Sequence, residues 1–336
     1  MPDNAWGGKP YPVFSVAPML DVTDRHFRYF LRLLSRHTLL YTEMVTTGAI
    51  LHGKDPQRFL DFSAEEHPLA LQLGGSNPDE LARCTELATQ WGYDEINLNV
   101  GCPSDRVQNN LIGACLMAHP QRVAECLQAM QAATPLPVTV KCRIGIDEQD
   151  EDADLEAFIE AQQQAGCRIF ILHARKAWLQ GLSPKENREI PPLNYGRVHR
   201  LKQQHPELVI GINGGLETLD ACKEQLQQVD SVMLGRAIWN NPWLVAEVDQ
   251  QLMGDPATGL TRHQAIRDYL PYVEQRLQAG DRLNPMIRPL LGLFQGVPGA
   301  RRFRRLLSER AHLAGEGPEL LEQALALVPE QQPAAS

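Results

Sequence analysis

Short apolar runs recur along the chain, each followed by a longer segment whose apolar residues return at helical spacing. The runs fall at residues 13–17, 39–44, 69–73, 95–99, 137–143, 168–173, 208–212 and 231–234. Between them, residues 78–91, 119–132, 154–165 and 216–228 carry helical patterns. In the first of these, Pro78 suits an opening turn after an Asn77 cap, and Leu81, Leu87 and Ala88 share a face. Strands alternating with helices make parallel βα units, and parallel strands covered on both faces are near-continuously apolar. Eight such units are enough for the sheet to close on itself. The pattern therefore predicts an α/β protein built on a (β/α)8 TIM barrel, with an open doubly wound sheet as the alternative.

After Trp239 the strand-like runs stop, and helical patterns follow at residues 261–279, 285–294, 300–314 and 318–327. Thr261 suits an N-cap, and Gly280 and Gly315 fall where helices end on a left-handed residue. The 336 residues accommodate a barrel of the usual ~250 residues and a small appended unit. The predicted division is a catalytic barrel over residues 1–250 and an all-helical domain over 251–336, with a mobile tail from 329. No internal repeat is evident.

Composition narrows the setting. Hydrophobic residues make up 43% and charged residues 22% of the chain, and no stretch approaches the ~18 uninterrupted apolar residues of a membrane span. Residues 1–10 are polar and contain Gly and Pro, without the basic and apolar regions of a secretory signal, so the cytoplasm is expected. Seven singly spaced cysteines fit reduced thiols, with neither a disulfide framework nor a metal site. A net charge of −9 opposes non-specific coating of nucleic acid. Positive charge is nevertheless concentrated at Arg301, Arg302, Arg304 and Arg305, followed by Arg310.

In a closed barrel, chemistry sits at the C-terminal ends of the strands. The apolar runs close there on Ala17-Pro18-Met19, Gln72, Asn99-Val100-Gly101-Cys102-Pro103, Lys141 with Arg143, His173, Asn213-Gly214-Gly215 and Gly235-Arg236. A lone Gly-Gly pair usually serves a tight turn. Glycines after both the seventh and eighth strands instead let backbone N–H groups approach a phosphate, and Arg236 adds a charge-assisted bond. Taken singly, Lys141 could snorkel and His173 could be a satisfied core residue. Together with Gln72 and the phosphate loops they place donors around the edge of a polar planar ring, and Ala17, Pro18 and Met19 complete the set of cofactor contacts. Flavin mononucleotide (FMN) combines such a ring with such a phosphate.

Cys102 differs from the other cysteines by its location. Cys84, Cys126, Cys142, Cys167 and Cys222 lie within helices or strands, where a cysteine is a small hydrophobe. Cys102 follows Gly101 and precedes Pro103 in the loop after the fourth strand, so its thiol can project into the barrel mouth. With no imidazole in the same motif, it suits giving a proton better than nucleophilic attack.

Several motifs resemble those of the tRNA-dihydrouridine synthases: Val16-Ala17-Pro18-Met19-Leu20-Asp21-Val22-Thr23-Asp24, Asn97-Leu98-Asn99-Val100-Gly101-Cys102-Pro103-Ser104, Gly113-Ala114-Cys115-Leu116-Met117, Lys141-Cys142-Arg143-Ile144-Gly145 and His173-Ala174-Arg175. The resemblance covers nearly the whole chain, and the segment from His173 to Arg188 is similar to the A subfamily, linked to uridines near position 20 of the D loop. It implies a bound FMN reduced by NADPH as a transient visitor, hydride delivery to uracil C6, and protonation of C5 by Cys102. No G-x-G-x-x-G fingerprint of a tightly held dinucleotide is present.

The implied partner is tRNA, with no protein partner and no membrane. Asn99 then either binds the uracil or supports the cysteine loop. Lys185 and Arg188 after the sixth strand, with Arg301 and Arg304 three apart on one helix face, are the expected RNA contacts. Two other readings stay open: a flavin barrel acting on a free pyrimidine or enone, and a non-catalytic RNA-binding scaffold. The arginine-bearing helical region counts against the first, and the joint presence of Cys102, Lys141 and His173 at strand ends against the second.

Overall fold

The computed structural model describes residue 6 and residues 8–104, 110–150 and 152–330. Residues 331–336 of the expected tail, and most of the first seven residues, lie outside the described residues. Eight parallel strands close into a barrel in chain order: β1 (Phe14–Val16), β2 (Leu39–Thr46), β3 (Leu69–Gly74), β4 (Glu95–Val100), β5 (Val138–Arg143), β6 (Ile169–His173), β7 (Val209–Asn213) and β8 (Ser231–Leu234). Closure comes from β1 against β8, with Ser15 opposite Met233 and Val16 opposite Leu234. All eight predicted runs form strands, and the open sheet is excluded.

Each strand turns outward into at least one helix. These are α1 (Arg25–Leu34), α2 (Thr47–His52), α3 (Pro78–Trp91), α4 (Pro120–Ala132), α5 (Ala153–Gln164), α6 (Tyr195–Gln204), α7 (Leu219–Leu226) and α8 (Arg236–Asn240). Local chemistry sets the helix ends. Asn77 Oδ1 accepts the backbone N–H groups of Asp79 and Glu80 at 3.0 and 3.2 Å, and Gly92 stops α3 at a φ of 91°.

Strand alternation sorts the apolar residues into two layers. Leu39, Tyr41, Ala70, Ile169, Ile171, Val209 and Met233 form an inner cluster closed at the floor by Tyr11, and a much larger cluster fills the space between sheet and helices. No helix among the described residues is long and apolar enough to cross a membrane.

The chain continues through α9 (Val248–Met253) into α10 (Arg262–Gln278), α11 (Leu283–Ile287), α12 (Ala300–Arg310) and α13 (Glu319–Leu325). Thr261 caps α10 by accepting from Gln264 N at 3.1 Å, and Gly280, just past the end of α10, takes positive φ as predicted. Gly315 also has positive φ, but α12 already ends at Arg310 on the Ala311 cap, so Gly315 does not close that helix. The outer cluster runs without a break from the barrel into these helices. On α1, the Tyr29 ring stacks on Tyr272 at 3.9 Å between centroids, and His26 Nδ1 meets the Tyr272 hydroxyl at 2.8 Å. Arg288 lies over Trp239 and donates to the carbonyl of Asp21, in the loop after β1. The helical region is thus tied to the rim of the barrel mouth.

Candidate active site

The inward residues of β4 and β5 are polar over the full height of the barrel, and on β3 Gln72 joins them above the apolar Ala70. Gln72 stands beside Asn97, Asn97 beside Thr139, and Asn99 beside Lys141 in the strand register. At the mouth, Asn99 Nδ2 donates to Gln72 Oε1 at 2.8 Å, while Asn99 Oδ1 accepts from the backbone N of Gly101 at 3.1 Å and of Cys102 at 2.9 Å. The Asn99 side chain therefore supports the cysteine loop directly.

That loop is held from two further sides. Ala114 N donates to the Cys102 carbonyl at 2.8 Å, and Arg143 Nε donates to the Gly101 carbonyl at 3.2 Å. Gly113 permits the approach, since a Cβ there would lie 2.3 Å from the Cys102 oxygen. Cys102 itself remains partly exposed, whereas Cys84, Cys126, Cys142, Cys167 and Cys222 are buried. Burial pushes each of those five thiols up to about 12, which makes them inert filling.

Positive charge is packed around the mouth of this acidic protein. Lys141 Nζ donates to Asn213 Oδ1 at 3.1 Å, and Asn213 Nδ2 donates to the Met233 carbonyl at 2.7 Å. Burial, and then the neighbouring Arg143 guanidinium, lower the Lys141 ammonium to about 8. Arg143 is 2% exposed and, among the described residues, has no carboxylate partner. Its donors go to the carbonyls of Gly101, Lys176 and Asn187, and burial lowers it to about 10. His173 is held well below the usual imidazole range by its enclosure, then by Arg143, Lys141, Arg175 and Arg236, so it is neutral near pH 7. Cations that depress one another in this way are stabilised by an anion placed among them.

The turns after β7 and β8 form a backbone cradle. Gly214 and Gly215 have φ values of 112° and 70°. A Cβ on Gly214 would meet the His173 ring and one on Gly215 would meet Leu193 at 2.5 Å, while one on Gly235 would touch Ala17 and Met19 at 3.4 Å. Ala17 is pinned by its N–H to the Leu234 carbonyl at 2.7 Å. Met19, beyond Pro18, is fixed by Thr23, whose Oγ1 accepts its N–H at 3.0 Å. A cradle that side chains would fill, beside a cationic cluster and the Gln72 and Asn99 amides, fits a phosphate joined to a polar ring. Arg236, which follows Gly235, pairs with Glu189 at 2.8 Å and donates to the Arg188 carbonyl at 3.3 Å.

The structure separates the expected RNA contacts. Lys185 is exposed, but Arg188 is half buried and near enough to Arg236 and Cys102 to feel both; its guanidinium is lowered by burial and then by Arg236. Arg188 thus faces the mouth. On α12, Arg301 and Arg304 are exposed and, among the described residues, make no hydrogen bond or ion pair. Their neighbours are engaged: Arg302 donates to the Leu327 carbonyl at 3.5 Å and Arg305 pairs with Glu309 at 2.7 Å.

Sequence reasoning passed over Glu95, Thr139 and the structural part of Arg143. The available signal was the polar period of two in Glu95-Ile96-Asn97-Leu98-Asn99, unusual for a parallel strand with an apolar interior.

The sequence model of a family described as Dihydrouridine synthase (Dus) matches residues 15–328. Curated relatives named tRNA-dihydrouridine(20/20a) synthase include one from Shewanella oneidensis, 60% identical over 311 residues, covering 93% of this chain and 92% of the relative. One from Vibrio cholerae is 58% identical over 95% of this chain and 97% of its own, and one from Escherichia coli is 56% identical over 98% and 94%. Among solved structures, morphinone reductase superposes with a TM-score of 0.51 at 11% identity, covering 73% of this chain and 86% of that one. That likeness concerns the fold.

Proposed function

The chain belongs to the dihydrouridine synthase family, and on that premise we propose that it reduces the C5=C6 bond of uridine in the D loop of tRNA, at positions 20 and 20a. The observation that carries the reading is the placement of Cys102, held through its backbone by Asn99, across the mouth from the cradle of Gly214, Gly215 and Gly235. FMN, when bound in this site and reduced by NADPH, would supply hydride to uracil C6.

The residues of this chain do the rest. Gly214, Gly215, Gly235 and Arg236 would hold the phosphate, and Lys141, Gln72, neutral His173, Ala17, Pro18 and Met19 would contact the ring. Hydride addition pushes negative charge toward C5 and the O4 carbonyl, where Lys141, Arg143 and Arg188 stabilise it in an enclosed site. The Cys102 thiol gives its proton to C5. A uridine stacked in folded tRNA must be extruded to reach this depth, which costs a few kcal/mol. Contacts to the RNA along Lys185 and the helical region of residues 251–336, above all Arg301 and Arg304, offset that cost.

The test is incubation of purified protein with NADPH and tRNA lacking dihydrouridine, with mass mapping of the product. Yellow protein, RNA-dependent NADPH oxidation and a gain of two mass units at positions 20 and 20a are expected. Reduction of free uracil or an enone as fast as tRNA would overturn the reading.

A further inference from the structure

The inner wall of the barrel differs from side to side at the same heights. Ile169, Ile171, Val209 and Met233 fill the side made by β6, β7 and β8. Gln72, Glu95, Asn97 and Thr139, each no more than 1% exposed, stand on β3, β4 and β5. Barrel interiors are ordinarily packed with branched apolar side chains, and a carboxylate buried at the floor is unfavourable unless its hydrogen bonds are complete. Volume alone does not call for this column.

The hydrogen bonds of the column run in one direction. A backbone N–H can only donate, so the bonds from Gly101 and Cys102 require Asn99 to present Oδ1 to them. Asn99 Nδ2 must then donate to Gln72 Oε1, which turns Gln72 Nε2 toward Asn97 Oδ1 at 2.8 Å. Asn97 Nδ2 in turn donates to Thr139 Oγ1 at 2.8 Å, and the Thr139 hydroxyl donates its own hydrogen bond to Glu95 Oε1 at 2.7 Å. Glu95 ends the chain as an acceptor, taking also the Tyr41 hydroxyl at 2.5 Å and Trp6 Nε1 at 3.0 Å. Asn99 lies four residue rises along β4 from Glu95, about 13 Å.

We propose that Glu95 is a positioning residue for the reaction: through Thr139, Asn97 and Gln72 it fixes which way the Gln72 and Asn99 amides point, and so seats the cysteine loop. If Gln72 turned over, its N–H would face the N–H of Asn99, and if Asn99 then turned to relieve this, the backbone of Cys102 would lose its acceptor. An acceptor at the floor removes that choice. The inference rests on the reading above only in taking Cys102 as the acid.

The test uses the full-length protein as purified, with two readouts: hydrogen exchange at the Gly101 and Cys102 amides, and kcat and KM for tRNA reduction. Thr139→Val removes the hydroxyl at nearly constant shape, and Glu95→Leu cuts the chain at its anchor from another strand. Both are expected to speed exchange at the two amides about tenfold and to lower kcat about tenfold, with KM for tRNA within about twofold. Thr139→Ser and Glu95→Gln, which keep an acceptor at each step, are expected to restore both quantities.

Unchanged exchange in Thr139→Val or Glu95→Leu overturns the inference, as does a loss that Thr139→Ser does not restore, since that is the mark of a packing defect. A wild-type protein that reduces no uridine would instead sink the functional reading, and the exchange measurement would still judge the chain.

Discussion

The backbone of Gly214 lies against the imidazole of His173: a Cβ on Gly214 would stand 2.6 Å from Cδ2 and 2.9 Å from Nε2 of that ring. The φ of 112° adds strain for any other residue. Gly214→Val therefore both closes the cradle and displaces His173. The variant is expected to purify folded but largely colourless, with the ratio of flavin to protein absorbance as the measurement. A folded variant with a full complement of flavin would place the phosphate elsewhere.

Cys102 is the group whose loss should separate cofactor chemistry from substrate chemistry. Its loop is held by backbone bonds to Asn99, Ala114 and Arg143, none of which uses the thiol. Cys102→Ala is expected to keep flavin bound and reducible by NADPH while uridine reduction slows by roughly 10²- to 10⁴-fold, the range for a lost general acid. Stopped-flow traces of the two half-reactions give the comparison, and wild-type turnover would remove Cys102 from the mechanism.

The eight strands were legible because parallel strands covered on both faces leave continuous apolar runs, and their ends moved by two residues or fewer. Residues at the strand ends were legible for the same reason: the first polar position after each run is the barrel mouth. What could not be read depends on contacts distant in sequence. Arg143 is satisfied by the Asn187 carbonyl, 44 positions away, and the Arg188 backbone is tied to Arg236, 48 positions away. Glu95 looked like a strand boundary. Only the register, which sets Asn97 beside both Gln72 and Thr139, makes it the end of an interior chain.

Glu95 also carries a pH dependence. Burial raises its carboxyl to about 7, a rise that the bonds from Tyr41, Thr139 and Trp6 only partly offset. With the folded value above the unfolded one, the folded state binds the extra proton between about pH 4.5 and 7, so stability from this group is full at the lower end and lost as pH rises toward 7. The loss amounts to about 3 kcal/mol at most, as an order of magnitude. Glu95→Gln is expected to gain on the wild type across that window and to hold a constant lead above it. The chain to Asn99 keeps its direction throughout, because a protonated carboxyl still accepts from Thr139. Unfolding midpoints of the two proteins at pH 5, 6, 7 and 8 that stay parallel would contradict the raised value.

The surface of α12 makes the sharpest claim about RNA, because four arginines at successive or near-successive positions have different commitments. Phe303 and Leu307 are buried and fix the rotation of the helix. That rotation leaves Arg302 against the Leu327 carbonyl and Arg305 against Glu309, while Arg301 and Arg304 project without a protein partner among the described residues. In a protein of net charge −9, attraction to RNA has to be local, so the uncommitted pair should supply phosphate contacts and the committed pair should not. Each lost contact lowers the slope of log affinity against log salt by about one unit. Arg301→Ala/Arg304→Ala is therefore expected to lower the slope by about two units and Lys185→Ala by about one. Arg302→Ala/Arg305→Ala should leave the slope nearly unchanged. Arg188→Ala, lying inside the mouth, is expected to reduce kcat more than the salt slope. NADPH-driven flavin reduction without RNA should be unaltered in the Lys185 and α12 variants. Filter binding at four or more salt concentrations decides among these, and equal slopes for the two arginine pairs would move the RNA-binding surface away from this helix.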